Sequence, residues 1–180
     1  MARNIMLVRC ASADDVATIS ELGRRIHAET RFSAFDYNEQ RVVKSMETII
    51  NIGQSAGTHC VLIAEDRLGS VAGILLGVIE RHIFSDLPVA SIMMYYVFPE
   101  KRMSGAGFKL LSTFRRWGEN RSAFEICVGI NSGLQVERTH RFLTRIGFNA
   151  VGGNYSLYTK PKPQPQQRQP RKRWETEYGD

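Results

Sequence analysis

No apolar run in this sequence is long enough to cross a membrane. The longest, residues 71–79 and 91–99, fall far short of the roughly 20 that a spanning helix requires. Arg3 and Asn4 lead into only a short apolar stretch, so neither a membrane span nor a signal peptide is expected. Cysteine is scarce too. Cys10, Cys60 and Cys127 form no close pair and no metal-ligand spacing, and an odd count argues against a disulfide framework. His59 and His140 have no partner at metal spacing, so no metal site is expected. These absences describe a soluble, cytoplasmic protein with reduced, buried thiols.

What is present is an ordinary globular composition, with 43% hydrophobic and 23% charged residues over 180 positions. Proline is unevenly spread: four of the six prolines (Pro161, Pro163, Pro165, Pro170) fall in the last stretch, KPKPQPQQRQPRKRWETEYGD. That stretch has almost nothing apolar before Trp174, so residues 160–180 are expected to form a disordered, basic, proline-rich tail and residues 1–159 the folded domain. The formal charge of +6 divides evenly between the two parts, because the tail holds six Lys+Arg against three Asp+Glu. Arg168, Arg171, Lys172 and Arg173 beside Trp174 form a basic patch of the kind that contacts nucleic acid, although such tails serve more often to solubilise or to dock a partner.

Within 1–159 the periodicity alternates between 2 and 3.6. Residues 4–10 read as a strand, and Ser12 with Asp14 and Asp15 opens a helix running to about residue 28. A loop over 29–37 precedes a second helix over 38–52, ended by Gly53 and Gly57. Residues 60–65 and 70–79 read as a hairpin around 66–69, and 90–98 as a further strand. A helix over 105–117, a strand over 123–130, a helix over 134–146 stopped by Gly147 and an edge strand over 151–159 complete the order β-α-α-β-β-β-α-β-α-β. The fold class is α/β (α+β): a mixed, mostly antiparallel sheet of six to seven strands covered by about four helices.

The segment that carries chemistry is Tyr96-Val97-Phe98-Pro99-Glu100-Lys101-Arg102-Met103-Ser104-Gly105-Ala106-Gly107-Phe108. A strand ends, a turn of small residues follows, and a helix opens with its free N–H groups facing that turn, which is the geometry of an anion site. The triphosphate-binding pattern G-x-x-x-x-G-K-[ST] is absent. A dinucleotide fingerprint also fails, because the third glycine position after Gly105 and Gly107 is Leu110. The pattern that fits is R-x-x-G-x-G, at Arg102, Gly105 and Gly107.

With Val97 and Pro99 before it, this segment resembles the coenzyme A pyrophosphate motif of the GNAT superfamily of N-acetyltransferases. The two helices after the first strand and the Gly147-Phe148 turn after the last helix are similar to that family as well, over roughly residues 5–159. Phage-encoded members are particularly similar, through His27-Ala28-Glu29-Thr30-Arg31-Phe32-Ser33 and Gly129-Ile130-Asn131-Ser132-Gly133, which would place the protein in a host cytoplasm.

The resemblance implies acetyl-CoA as cosubstrate, a primary amine in a protein or small molecule as acceptor, direct attack of the amine on the thioester, and a homodimer as the oligomeric form to test. It also implies cofactor contacts at Tyr96, Val97, Arg102, Met103, Ser104, Gly105, Ala106, Gly107 and Phe108, with Asn131 as a side-chain contact. Acceptor candidates flank the expected cleft at Glu29, Arg31, Phe32, Ser33, His82 and Phe84. Two positions depart from the family's pattern: Leu143 stands where a tyrosine commonly protonates the leaving thiolate, and Ser91 where some members carry a glutamate base. Glu80, Glu29 and Tyr155 are therefore the candidate proton-transfer residues. The alternative is a GNAT-fold protein that is catalytically weak or inactive and binds, for instance as a virion component, through its basic tail.

Overall fold

The computed structural model describes residues 6–159; the 160–180 tail expected above lies outside the described residues, as do residues 1–5. Among the described residues, nine strands and α-helices follow in chain order: β1 (Leu7–Cys10), α1 (Val16–Glu29), α2 (Glu39–Thr48), β2 (His59–Glu65), β3 (Val71–Arg81), β4 (Pro88–Val97), α3 (Ala106–Glu119), β5 (Glu125–Val128) and α4 (Val136–Arg145). Single turns of 3₁₀ helix precede α1, follow it at Arg31–Ala34, and follow β4 at Pro99–Lys101. The second helix is shorter than expected because α2 relaxes at Ile49–Gln54 into a wider π turn.

Local chemistry sets the helix ends. The Ser12 backbone N–H donates to Asp15 Oδ2 at 2.7 Å, and Arg9 donates to both Asp15 oxygens at 2.8 Å. Asn38 caps α2 by accepting from the Arg41 N–H at 2.9 Å. Gly147, at φ +98°, ends α4 in the left-handed region that glycine enters without a Cβ penalty.

Among the described residues the sheet has five strands in the order β1-β2-β3-β4-β5, against the six to seven expected. The first three pairings are antiparallel; β4 and β5 run parallel because α3 crosses between them. Residues 151–159 carry the alternation of a strand but join no ladder, and Val151, Tyr155 and Leu157 stand exposed. A cavity of about 1340 Å³ opens between β5, α4 and residues 146–156. The cysteines also differ from expectation. Cys60 is buried, Cys127 half-buried and Cys10 exposed.

Alternation along the strands divides the core in two. Cys60, Leu62, Ala64 and Leu75 pack with Leu110, Leu111 and Phe114 of α3. Val61, Ile63, Ile74 and Leu76 pack with Val16, Ile19 and Ile26 of α1 and Met46 of α2. Close approach of α3 depends on Gly77, where a Cβ would lie 2.1 Å from the fully buried Phe114 ring. Replacing Gly77 by Ala is expected to cost about 1–3 kcal/mol through overpacking. Urea denaturation checks this against Gly152→Ala, where a Cβ meets nothing within 4 Å; equal stability of the two variants would refute the packing argument.

Candidate active site

The site begins with a strand that outruns one of its neighbours. β4 pairs with β5 only from Val89↔Glu125 to Ile92↔Val128, whereas its pairing with β3 continues to Gly73↔Val97. The register against β3 slips at Leu76/Gly77, leaving Met93 as an extra residue on β4. A bulge increases local twist, and β4 diverges from β5 just beyond it. From Met93 to Val97 the β5 side of β4 is therefore open among the described residues.

Backbone groups of an antiparallel strand alternate sides. The Phe98 N–H donates to Ala72 O across the β3 side, so Tyr96 faces β3 as well, and Tyr95 and Val97 face the opening. The backbone groups facing a ligand there are thus those of Tyr95 and the Val97 N–H, the Val97 carbonyl accepting from Arg102 Nε at 3.3 Å. The Tyr96 backbone is turned away from the opening, and its side chain lies on the α1 face.

Beyond Val97, the buried Phe98 anchors the chain, and Lys101, Arg102 and Ser104 N–H groups close successive turns onto Phe98, Pro99 and Lys101 carbonyls. Ser104 Oγ donates to Lys101 O at 2.6 Å and accepts the Ala106 N–H at 3.3 Å. Gly105 caps α3 at φ +82°, a conformation that demands glycine although the space around it is open. At Gly107 the constraint is space, since a Cβ would lie 2.4 Å from the Tyr95 hydroxyl. The first N–H groups of a helix have no intrahelical acceptor. Those of Met103, Gly105, Gly107 and Phe108 have no hydrogen-bond acceptor among the described residues. They are a set of unpaired donors at the positive end of a helix of 14 residues.

The charges around this turn are sorted. Lys101 Nζ lies 3.1 Å from Asp66 Oδ2, and Glu100 receives both terminal nitrogens of Arg25 at 2.9 Å. Arg102 donates from Nε to Val97 O at 3.3 Å and has no carboxylate partner among the described residues. Its charge remains available to an anion at the turn.

Glu29, the last residue of α1, accepts the Tyr96 hydroxyl and the Arg25 Nε. These bonds, Tyr96 foremost, hold its carboxyl below the usual carboxylate range, so it is an anion and a weak base. Burial, reinforced by Glu29, pushes the Tyr96 phenol up to about 12. Burial also pushes the Cys60 thiol up to about 12, which removes it as a nucleophile.

Of the remaining candidates, Arg31, Asn131 and Tyr155 line one cavity, and the others are dispersed. Arg31, Phe32 and Ser33 form the turn after α1, where Arg31 Nε donates to Asn131 O at 2.6 Å and its N–H to Ser132 O at 3.1 Å. Arg31 and Asn131 are thereby brought together, with the Asn131 carbonyl engaged. Glu80 pairs in register with Val89, placing it roughly 25 Å along the sheet from Val97. His82 Nδ1 accepts the Phe84 N–H at 3.3 Å within the exposed β3–β4 turn. His27 meets Phe35 O at 2.9 Å. Tyr155 is 98% exposed, and Leu143 is buried in the core. Among the described residues no cluster could hold a metal ion, and no helix is long and apolar enough to cross a membrane. Sequence reasoning missed Tyr95, Arg25 and Glu100; a Tyr-Tyr pair next to an unseen bulge offers no signal for which member faces the opening.

A family model described as the acetyltransferase (GNAT) family matches residues 24–148. Among curated sequences nothing matches. The fold is similar to that of the aminoglycoside acetyltransferase AAC(6')-Iy, solved with a bisubstrate analogue, CoA-S-monomethyl-acetylneamine (TM-score 0.67, 17% identity, 87% of this chain and 98% of that one). A second structure of AAC(6')-Iy, with CoA, gives a TM-score of 0.66 at 17% identity over 88% of this chain and 96% of the other. Glucosamine-6-phosphate N-acetyltransferase from Arabidopsis thaliana gives 0.66 at 14% identity over 87% and 99%. At these identities the likeness is one of fold.

One titration follows from the turn. Bonds from Arg25 lower the Glu100 carboxyl from 4.5 to about 2. A carboxyl depressed in the folded state stabilises above its unfolded pKa and loses that contribution as pH falls through the folded value. The small stability difference between the protein and Glu100→Gln should therefore be largest above about pH 5 and shrink towards about pH 2. Urea midpoints across that range check this, and a pH-independent difference would contradict it.

Proposed function

Because this chain belongs to the acetyltransferase (GNAT) family, we propose that it transfers an acetyl group from acetyl-CoA to a primary amine by direct attack, with both substrates bound together. Acetyl-CoA, the cosubstrate, supplies the activated thioester. The observation that carries the reading is the set of unpaired N–H donors of Met103, Gly105, Gly107 and Phe108 beside Arg102, which has no carboxylate partner among the described residues, at the end of a strand whose opposite edge is open. The N–H groups of residues 103–108 and Arg102 would hold the pyrophosphate. The Tyr95 and Val97 backbone would hold the pantetheine arm as an added strand holds to a sheet edge.

The acceptor approaches from the α1 side in this reading, against Glu29 and the Arg31–Ala34 turn. Glu29 attracts and orients an ammonium; its lowered pKa makes it a poor proton acceptor. Glu80 lies far along the sheet from Val97, and Tyr155, which lines one cavity with Arg31, is 98% exposed; in this reading the ammonium proton leaves to water, the free amine forms its C–N bond as the thioester C–S bond breaks, and solvent protonates the departing thiolate. Holding the two reactants in attack geometry then supplies much of the rate. Residues 1–159 carry this site; in the same reading the folded domain forms a homodimer, and the 160–180 segment serves to solubilise or to dock a partner in preference to contacting nucleic acid.

One observation favours a second reading, a GNAT-fold protein that binds acetyl-CoA with little turnover: Leu143 is apolar and buried, and Ser91 is locked in register between Val78 and Cys127. Thermal shift with acetyl-CoA, followed by thiol release with amino sugars and other primary amines, separates the two. Stabilisation with turnover is expected; stabilisation without turnover on any amine supports the second reading, and no stabilisation contradicts both. Arg102→Ala should weaken acetyl-CoA about tenfold, the loss of one charge-assisted contact. Unchanged affinity would remove Arg102 from the site.

A further inference from the structure

Arg25 sits where the two halves of the site meet. It lies one turn before the end of α1, and three of its nitrogens are engaged at once: Nε with Glu29 Oε1 at 2.8 Å, and the two terminal nitrogens with the two oxygens of Glu100 at 2.9 Å. The guanidinium carbon lies 4.4 Å from the centroid of Phe98, the buried ring that anchors the turn, and that ring meets Tyr96 edge-on at 5.4 Å. Glu29 in turn accepts the Tyr96 hydroxyl and is followed directly by the Arg31–Ala34 turn. One planar cation thus ties the segment that ends α1 to the turn that opens α3, two segments about 70 residues apart in the chain.

We infer that Arg25 is a positioning residue: it keeps Glu100 neutralised at the anion-binding turn and couples occupancy of that turn to the Glu29–Tyr96 pair and the acceptor-side turn. The first part follows from charge. A carboxylate two residues from Arg102 opposes an anion arriving at the same turn, and the bidentate bond to Arg25 cancels it. The second part follows from geometry. Any adjustment of residues 99–102 around a ligand moves the Glu100 carboxylate, and the rigid fork carries that movement to Glu29 through the same guanidinium. A lysine, with a single nitrogen, cannot hold Glu29 and both Glu100 oxygens in this plane.

The inference rests on the proposed placement of coenzyme A at the turn, so Arg102→Ala is measured alongside it. Calorimetry with acetyl-CoA should show Arg25→Gln binding about fivefold more weakly, with Arg25→Lys recovering part of the loss by restoring the charge. The double variant Arg25→Gln/Glu100→Gln should return affinity towards that of the unaltered protein, because the uncompensated carboxylate has gone. Hydrogen-exchange mass spectrometry gives the coupling readout. Saturating acetyl-CoA should slow exchange in residues 29–34 of the unaltered protein, and this effect should be lost in Arg25→Gln and stay lost in the double variant. Arg24→Ala, which breaks the neighbouring exposed pair with Glu39, serves as the control and should change neither. A double variant weaker than Arg25→Gln alone would overturn the charge argument. Unchanged slowing in residues 29–34 of Arg25→Gln would overturn the coupling. If Arg102→Ala binds acetyl-CoA normally, the placement of the cofactor falls first, and the coupling falls with it. If Arg102→Ala binds weakly while Arg25→Gln behaves as the unaltered protein, both roles of Arg25 fall and the cofactor placement stands.

Discussion

From Met93 to Val97, β4 is held by one neighbour where it had two, and the rest of the site depends on that separation. β5 stops at Val128 opposite Ile92, and the extra residue Met93 twists β4 away at the same level. Had the parallel ladder continued, the backbone groups of Tyr95 and Val97 would be consumed within the sheet. The divergence leaves them facing outwards on a strand kept rigid by β3. It also lets α3 start beside the opening, with its unsatisfied N–H groups and positive dipole end at the place where β4 delivers the chain.

Around that opening the protein neutralises charge selectively. Asp66 engages Lys101, and Arg25 engages Glu100. Two cations remain near the turn without a carboxylate partner among the described residues: Arg102, with a single backbone contact, and Arg138, which reaches Met103 Sδ at 3.8 Å. On the other side, Glu29 is kept ionised by Tyr96 and Arg25, so an anion-attracting turn and an ionised carboxylate stand at the two sides of the proposed site. Steric demands reinforce the arrangement. Gly77 admits Phe114, and Gly107 admits the Tyr95 hydroxyl, so α3 sits tight against the strands whose edge it extends.

The turn itself was legible in the sequence, because its chemistry is local: Pro99 punctuates, Gly105 takes the left-handed cap, and Arg102 and Gly107 stand at fixed offsets. The helices were legible to within a few residues for the same reason, through Ser12, Asn38 and Gly147. Two features were not. Residues 91–98 are nearly all apolar, so no alternation marks the bulge at Met93, and one extra residue exchanges the roles of Tyr95 and Tyr96. The Arg25–Glu100 bond joins residues 75 apart, which no local pattern reports. The opposite error occurred at 151–159, where the alternation of Tyr155, Leu157 and Thr159 was sound but strand formation also requires a partner edge.

A crystal structure of the protein with coenzyme A tests the central claim most directly. The account predicts the pyrophosphate on the N–H groups of residues 103–108 with Arg102 against it, and the pantetheine arm hydrogen-bonded to the Tyr95 and Val97 backbone between β4 and the end of β5. Coenzyme A bound elsewhere, or seated with its pyrophosphate away from Gly105 and Gly107, would contradict it.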